Sequence, residues 1–245
     1  MAGHGLRVTE VVPHTVESAD VATDAGRLWL RARYARPGQE YVRLNMITSL
    51  TGAAAGADGT SETLTNRIDR AVLGEIRRDA DVVLVGAQSV RAEGYVVPRN
   101  ARLAIVTSSG RLTGHRLSLQ PGSDPGRVLL VCPVAVADDL AEQATPFGAE
   151  IVPVAGGSHL EPGAILDALR ARGLTRVVCE GGPSLAGQFA AAGVIDEYCI
   201  TVAPVIEPAT EPFLRVTAAI RPHTEVDGML VDDAGFSYLR LRVQV

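Results

Sequence analysis

A strand that stops at a carboxylate and a pair of glycines carries the most informative chemistry in this sequence. The apolar run Val177–Cys179 ends at Glu180-Gly181-Gly182, and Pro183-Ser184-Leu185 then opens a helical pattern. Free backbone amides and the positive end of the helix dipole would face one point there, which suits a phosphate group. Glu180 would lie beside that ligand, where a carboxylate can orient or protonate a substrate. The alternative is a plain tight turn with a solvated Glu180.

Two further strand ends repeat this arrangement. Val85-Gly86-Ala87-Gln88-Ser89-Val90 joins an apolar strand to a helix start through a glycine and places a hydroxyl at Ser89. The strand Leu103–Val106 ends in Thr107-Ser108-Ser109-Gly110-Arg111, whose hydroxyls and arginine suit a ribose or a 2′-phosphate. Each segment alone is equally consistent with a polar loop. Because the carboxyl ends of parallel strands share one edge of a sheet, the three together predict a dinucleotide site.

The elements that must position these turns alternate along the chain from Tyr41 onward. Strand and helix patterns in alternation predict one α/β domain over residues 41–245, with a mostly parallel central sheet between two helical layers. The segments Glu225–Val231 and Phe236–Val245 predict an antiparallel C-terminal hairpin. Residues 1–40 lack clear periodicity and are predicted to form an irregular N-terminal extension.

Composition and charge argue against several classes of function. The 245 residues are 47% hydrophobic and 21% charged, which is typical of a globular domain. The formal net charge of −5 argues against nucleic-acid and membrane-surface binding. Cys132, Cys179 and Cys199 each lie in an apolar run, so neither a disulfide framework nor a metal site is predicted. Neither a signal peptide nor a stretch of ~20 apolar residues is apparent, which favours a cytoplasmic location.

Several motifs follow one another in an order that is specific in combination. In chain order they are Asn45 to Gly52, Ser61-Glu62-Thr63-Leu64-Thr65, Ile76 to Asp81, Val85 to Val90, Glu180 to Leu185, and Ile195-Asp196-Glu197 through Ala203-Pro204. On these residues the sequence from Tyr41 to Val245 resembles the reductase family of riboflavin biosynthesis, the RibD C-terminal domain, which is related in fold to dihydrofolate reductase. The form Val90-Arg91-Ala92-Glu93-Gly94-Tyr95 looks most like a monofunctional actinobacterial branch of that family.

This resemblance implies a three-layer α/β/α fold of the dihydrofolate reductase type and an NADPH-dependent reductase similar to 5-amino-6-(5-phosphoribosylamino)uracil reductase. Such enzymes reduce a ribosylamino group to ribityl by hydride delivery to C1′ of the ring-opened imine. Glu180 and Asn45 are the candidate catalytic residues, while Ser61, Arg77 and Glu180 would face the substrate, with Arg77 suited to its phosphate. The candidate cofactor-binding residues are Ile47, Thr63, Ser89, Glu93, Thr107, Ser108, Gly181, Gly182, Pro183, Ser184 and Leu185. The family also implies a homodimer.

The sequence departs from the family at positions that bear on catalysis. Thr51 stands where the family has aspartate, and a threonine is no acid near neutral pH, so any proton-donating role is lost or has moved to Glu180 or a bound water. Thr63 replaces a tryptophan, and Glu93-Gly94-Tyr95 replaces Asp-Asp-Pro. Pro-Cys-x-x-Cys, which supplies two of the zinc ligands in such enzymes, is absent, so zinc deaminase chemistry is not expected. Two other functions stay open: reduction chiefly of dihydrofolate or another pteridine, and non-catalytic NADPH binding.

Overall fold

The computed structural model describes residues 6–36, 38–118, 124–144, 148–157 and 159–244. Eleven strands within these ranges form one sheet: β1 (Arg7–Val12), β2 (Ser18–Asp20), β3 (Tyr41–Ser49), β4 (Val82–Gly86), β5 (Arg102–Val106), β6 (Val128–Pro133), β7 (Glu150–Val154), β8 (Arg176–Gly181), β9 (Glu197–Ala203), β10 (Thr224–Asp232) and β11 (Ser237–Val243). The α-helices are α1 (Asp24–Tyr34), α2 (Arg67–Arg78), α3 (Ala87–Glu93), α4 (Ala137–Ala144), α5 (Pro162–Arg170) and α6 (Pro183–Ala191). Over the described ranges, none of them combines the length and apolar character that crossing a bilayer requires.

The sheet is mostly parallel, as predicted. Its strand order is β2-β1-β10-β11-β9-β3-β8-β4-β5-β6-β7. The strands from β9 to β7 in this order pair in parallel, whereas β11, β10, β1 and β2 are joined by antiparallel pairing. The predicted C-terminal hairpin is confirmed as β10 and β11, with Met229 opposite Leu239. Val245, the last residue of the predicted hairpin, lies outside the described residues.

Helices cover both faces of the sheet, which confirms the three-layer prediction. One hydrophobic core joins one face to the helices α1 to α4 and includes Ile76 and Leu140. The other core joins the opposite face to α5 and α6 and includes Leu169 and Phe189. Strands buried on both faces read as continuous apolar runs, which is why Val82–Val85 shows no polar alternation.

The N-terminal segment is ordered secondary structure, so the prediction of an irregular extension over residues 1–40 is wrong for the part that the structure describes. The strand β1 pairs with β10 and extends the sheet, and Thr23 caps α1 by accepting the amide of Gly26. The strand pattern is obscured because one inward-facing position of β1 is Glu10, which is 4% exposed and pairs with Arg33 of α1 at 2.9 Å. A buried charge with a partner distant in sequence breaks the apolar alternation by which strands are recognised.

A buried ion pair ties α1 to the central strands. Arg43 of β3 and Glu197 of β9 form this pair, and their side chains are 0% and 2% exposed. Arg43 also donates from Nη1 to the carbonyl of Tyr34, the last residue of α1, at 3.1 Å. Arg240 of β11 approaches Glu197 at 3.4 Å, so the cluster links three strands and one helix.

Replacing Arg43 with methionine is expected to lower the free energy of unfolding by about 3–5 kcal/mol, because Glu197 would keep a buried charge with an incomplete set of partners. Denaturant unfolding followed by the fluorescence of Trp29, which lies on α1, measures the loss. Arg170→Met removes a solvent-exposed pair with Asp167 and is expected to change stability by less than about 1 kcal/mol. Equal losses in the two variants would show that the buried pair adds nothing specific.

Candidate active site

A cavity of about 710 Å³ opens at the carboxyl ends of β3, β8 and β4. Its volume lies within the range of roughly 300–1,000 Å³ that is typical of small-molecule sites. The cavity thus lies at the carboxyl ends of the parallel strands, which is where α/β folds of this kind bind ligands. The predicted site residues that line it are Asn45, Ile47, Ser61, Arg77, Ser89, Glu93, Glu180, Gly182, Pro183, Ser184 and Leu185.

The turn between β8 and α6 forms one wall of this cavity. Gly181 and Gly182 have φ angles of +28° and +93°, a region that residues with a Cβ rarely adopt. α6 begins at Pro183, which has no amide hydrogen, and no side chain of the described residues caps the helix. The first amides of a helix have no partner within it, so those of Ser184 and Leu185 are available at the cavity wall. The wall therefore presents hydrogen-bond donors and a positive helix end.

The turn after β4 packs directly against the turn after β8. Ser89 Oγ of α3 donates to the carbonyl of Gly181 at 3.0 Å. A Cβ placed on Gly182 would lie 2.4 Å from Ser89 Oγ, and one on Gly86 would lie 3.2 Å from the Gly181 carbonyl oxygen. Side chains are therefore excluded where the two turns meet, and the glycines leave backbone exposed to the cavity.

Glu180 is bound by Arg77 and Tyr95 rather than by solvent. Its side chain is 7% exposed, and Arg77 Nε and Nη2 donate to its two carboxylate oxygens at 2.7 and 2.5 Å. The Tyr95 hydroxyl donates to Glu180 Oε2 and accepts a hydrogen bond from Arg77 Nη2 at 2.9 Å. The alternative of a solvated Glu180 is therefore wrong. Burial lowers the pKa of Arg77, but the charge and hydrogen bonds of Glu180 more than offset this effect and raise it, so Arg77 stays charged.

This pairing changes the role that the sequence suggests for Arg77. A guanidinium that binds a carboxylate through two parallel hydrogen bonds is already satisfied on one edge, so a substrate phosphate would have to compete with Glu180 for it. Tyr95 is the member of the cluster that the sequence does not reveal. Gly94, with a φ of +71°, ends α3, and Tyr95 then returns to a carboxylate 85 residues away in sequence.

Thr51 belongs to the loop scaffold and does not line the cavity. Its hydroxyl donates to the carbonyl of Glu207 and accepts the amide of the same residue at 3.1 Å. Ser49 Oγ lies 2.9 Å from the Thr51 hydroxyl. The side chain thus joins the loop after β3 to the segment after β9.

Replacing Thr51 with valine is expected to lower the free energy of unfolding by about 1 kcal/mol, because the two hydrogen bonds to Glu207 are lost. The turnover number should stay within about threefold of the natural value, because no atom of Thr51 reaches the cavity wall. Thermal unfolding and steady-state rates measure the two effects, with Thr51→Ser as the variant that keeps the hydroxyl. A large loss of turnover at unchanged stability would place Thr51 in the chemistry after all.

Four predicted cofactor residues do not line the cavity: Gly181, which directly precedes the lining residue Gly182, and Thr63, Thr107 and Ser108. Thr63 is exposed and directs its hydroxyl toward Asp58 Oδ1 at 3.4 Å, because the short 3-10 turn over Ser61–Thr63 turns it away from the site that Ser61 faces. Its predicted contact with the cofactor therefore has no support in this cavity. Thr107 and Ser108 follow the end of β5, where Thr107 is buried and Ser108 is exposed. They lie on the same edge of the sheet, one strand beyond β4.

Carboxylates outnumber guanidinium groups in the cavity wall. The acidic side chains are Glu62, Asp69, Glu93, Glu180 and Glu211, and the basic ones are Arg70 and Arg77. Arg70 pairs with Glu62, as Arg77 does with Glu180. Burial raises the pKa of Glu93, although the backbone amide of Ser61 donates to its Oε1 at 3.1 Å and opposes the shift. No group of three or more His, Cys, Asp or Glu side chains in the described ranges is arranged to hold a metal ion.

The chain is similar in sequence to proteins of riboflavin biosynthesis. The family model of the RibD C-terminal domain matches residues 40–210. The 2,5-diamino-6-ribosylamino-4(3H)-pyrimidinone 5′-phosphate reductase of Methanothermobacter thermautotrophicus is 29% identical over 188 residues, which are 68% of this chain and 78% of the relative. The riboflavin biosynthesis protein RibD of Mycobacterium tuberculosis is 34% identical over 191 residues, 78% of this chain and 49% of the relative. The chain thus spans about half the length of that relative.

A solved structure shows the same fold. A pyrimidine reductase-like protein from Corynebacterium diphtheriae superposes with a TM-score of 0.69 at 23% sequence identity, covering 84% of this chain and 92% of the other. At that level of identity the likeness supports the architecture of the sheet and its helices.

Proposed function

The chain belongs to the RibD C-terminal domain family, and from that membership we propose that it is an NADPH-dependent reductase. Its substrate would be a pyrimidine bearing a ribosylamino phosphate, the class named for the Methanothermobacter relative. The ribosyl group would be reduced to ribityl at C1′. The observation that carries this proposal is the cavity at the β8–α6 turn, where exposed backbone amides and the Arg77–Glu180 pair face one space.

The shape of the turn fits the phosphates of a dinucleotide. The position of Gly182 has no room for a Cβ beside Ser89, and the uncapped start of α6 offers amide donors and a positive helix end to an anion. We infer that Ile47, Ser89 and the segment from Gly182 to Leu185 hold the cofactor, with Thr107 and Ser108 in reach of a distal part along the same edge. When bound, NADPH supplies the hydride that the reduction requires.

The residues of the chain would bind and orient the substrate across the cavity from this turn. Glu180 offers a fixed carboxylate that accepts hydrogen bonds from amino or hydroxyl groups. Asn45 and Ser61 add neutral polar groups to the wall. Because Arg77 is bound by Glu180, the exposed guanidinium of Arg70 is the better candidate for binding the substrate phosphate. Arg70 would then give up its ion pair with Glu62 and pair with the phosphate instead.

Turnover by the 245-residue chain tests this proposal. With NADPH and 5-amino-6-(5-phosphoribosylamino)uracil, the dihydronicotinamide absorbance should fall, and mass spectrometry should detect a product two hydrogens heavier than the substrate. Dihydrofolate in the same assay should react more slowly. Faster turnover of dihydrofolate would assign a pteridine reductase instead, and tight NADPH binding without turnover of either compound would assign a non-catalytic binding protein.

A further inference from the structure

Asp69 occupies a distinctive position in the cavity wall. It lies in the first turn of α2, and its Oδ2 accepts the hydroxyl of Thr65 at 2.6 Å. The hydroxyl of Thr201, a buried residue of β9, is a second hydrogen-bond partner. Thr201 is paired in register with Ile47 of β3, so Asp69 faces the end of the sheet that the cofactor and substrate are proposed to share.

The other carboxylates of the wall are engaged by stronger partners. Glu62, Glu180 and Glu211 form ion pairs with arginines. Glu93 accepts the backbone amide of Ser61, which fixes one of its carboxylate oxygens to the segment before α2. Asp69 has neutral hydroxyl partners and forms no ion pair with any described residue. Among the carboxyl groups of this wall, Asp69 is thus the one whose hydrogen-bond partners are all side-chain hydroxyls. Burial raises the pKa of Glu93 as well, but its Oε1 is held by a main-chain amide.

The electrostatic surroundings of Asp69 support the same conclusion. Burial raises the pKa of Asp69, and the charge of Glu180 raises it further, while the hydrogen bonds of Thr65 and Thr201 and the charge of Arg70 oppose the shift. The other titratable group that interacts with it is Tyr238 of β11, which is hydrogen-bonded to Asp232. The protonated form of Asp69 therefore persists to higher pH than that of an ordinary aspartate.

The reduction of a ring-opened ribosylamine needs such an acid. Adding hydride to C1′ breaks the π bond between C1′ and nitrogen, and the released electron pair must take up a proton at nitrogen. Thr51, at the position where a carboxylate would be expected, is bonded to Glu207 and lies outside the cavity. The carboxyl groups of the wall are therefore the side chains of the cavity that could supply the proton.

We propose that Asp69 is the catalytic acid of this reductase and gives its carboxyl proton to the substrate nitrogen as C1′ receives the hydride. The C1′=N bond becomes a C1′–N single bond with one hydrogen added to each atom, and NADPH is oxidised to NADP⁺. Asp69 is left as a carboxylate and regains a proton from water after the product leaves. This assignment rests on the proposed reductase function.

Asp69→Asn is the variant that tests the proposal. The asparagine keeps the size of the side chain and its hydrogen bonds to Thr65 and Thr201. The raised pKa of Asp69 means that its ionised form destabilises the folded state as pH rises. Removing this carboxyl group should therefore leave the variant folded at neutral pH. The single-turnover rate should fall at least ~100-fold, while the dissociation constant for NADPH stays within about threefold. Asp167→Asn, on the exposed surface of α5, is the matched control and should keep the natural rate.

Two pH titrations complete the test. In the natural chain the single-turnover rate should decline as pH rises through the pKa of Asp69, because the donor is then ionised, and Asp69→Asn should lack this decline. In the ligand-free protein, a ¹³C carboxyl resonance that is absent from Asp69→Asn should titrate above the ordinary aspartate range. A variant rate within about threefold of the natural rate, a natural rate without this decline, or a carboxyl that titrates in the ordinary range would each overturn the assignment.

The outcomes separate this inference from the proposed function. Turnover by the natural chain with an equally active Asp69→Asn variant would remove Asp69 as the acid and leave the reductase proposal intact. A failure of the natural chain to reduce the pyrimidine would overturn both. An equal loss of NADPH affinity and rate in the variant would place Asp69 in cofactor binding and overturn its role as acid.

Discussion

Gly182→Val is expected to weaken NADPH binding by at least ~100-fold. The φ of +93° at this position disfavours any residue with a Cβ, and the cost of such a conformation is of order 1–3 kcal/mol. The added Cβ would also lie 2.4 Å from Ser89 Oγ, which forces apart the two turns that form the wall of the proposed cofactor site. Because every 1.4 kcal/mol changes a dissociation constant about tenfold, strain and displaced amides together suffice for this loss.

Titration calorimetry of the variant with NADPH measures the effect. Gly163→Val is a suitable control, since Gly163 lies in α5, does not line the cavity, and a Cβ there meets nothing within 4 Å. The double change Gly182→Ala with Ser89→Gly removes the steric contact but keeps the backbone strain, so it should recover part of the affinity. Unchanged affinity in Gly182→Val would exclude this turn from the cofactor site.

Glu180→Gln is expected to lower kcat/KM for the pyrimidine substrate by about 1,000-fold, with NADPH affinity changed by less than about threefold. The glutamine keeps the size of the side chain but loses the charge that fixes Arg77 and Tyr95 around the cavity. Charged hydrogen bonds of this kind contribute roughly 1.5–3 kcal/mol each. The substrate would lose the carboxylate that accepts its hydrogen bonds and would no longer be held in the orientation that the reaction needs.

Arg77→Met should produce a similar loss, and the double variant should be little worse than either single one, because the two side chains act as a unit. Steady-state kinetics of the three variants give the coupling energy. Arg176→Met is a matched control, since Arg176 forms an ion pair with Asp81 at the opposite end of β8, far from the cavity. Fully additive losses would show that Arg77 and Glu180 contribute independently.

The parts of the fold that the sequence predicted are those governed by local rules. Val177–Cys179 is apolar because β8 is buried on both faces, and the glycine pair after it is required by positive φ angles and by close packing. Both signals are contained within a few residues of the chain. The C-terminal hairpin was predicted for the same reason, since its alternation and its turn are local.

The parts that it did not predict depend on partners distant in sequence. Glu10 interrupts the apolar pattern of β1, and the partner that allows its burial, Arg33, lies on α1. Tyr95 binds Glu180, which is 85 residues away in the sequence. Asp69 lies three residues before Val72 and seven before Ile76, and this spacing places it on the buried face of α2. That spacing was its one local signal. Contacts between separate elements fix the orientation of these side chains, and no short pattern records those contacts.

Calorimetric titration of the natural chain with NADPH tests the central claim most directly. The exposed amides at the start of α6 and the Gly182 turn predict saturable binding at one site per chain, weakened by added salt because phosphate charge contributes to it. No saturable heat with NADPH would contradict the claim that this cavity holds a dinucleotide, and with it the assignment of a reductase.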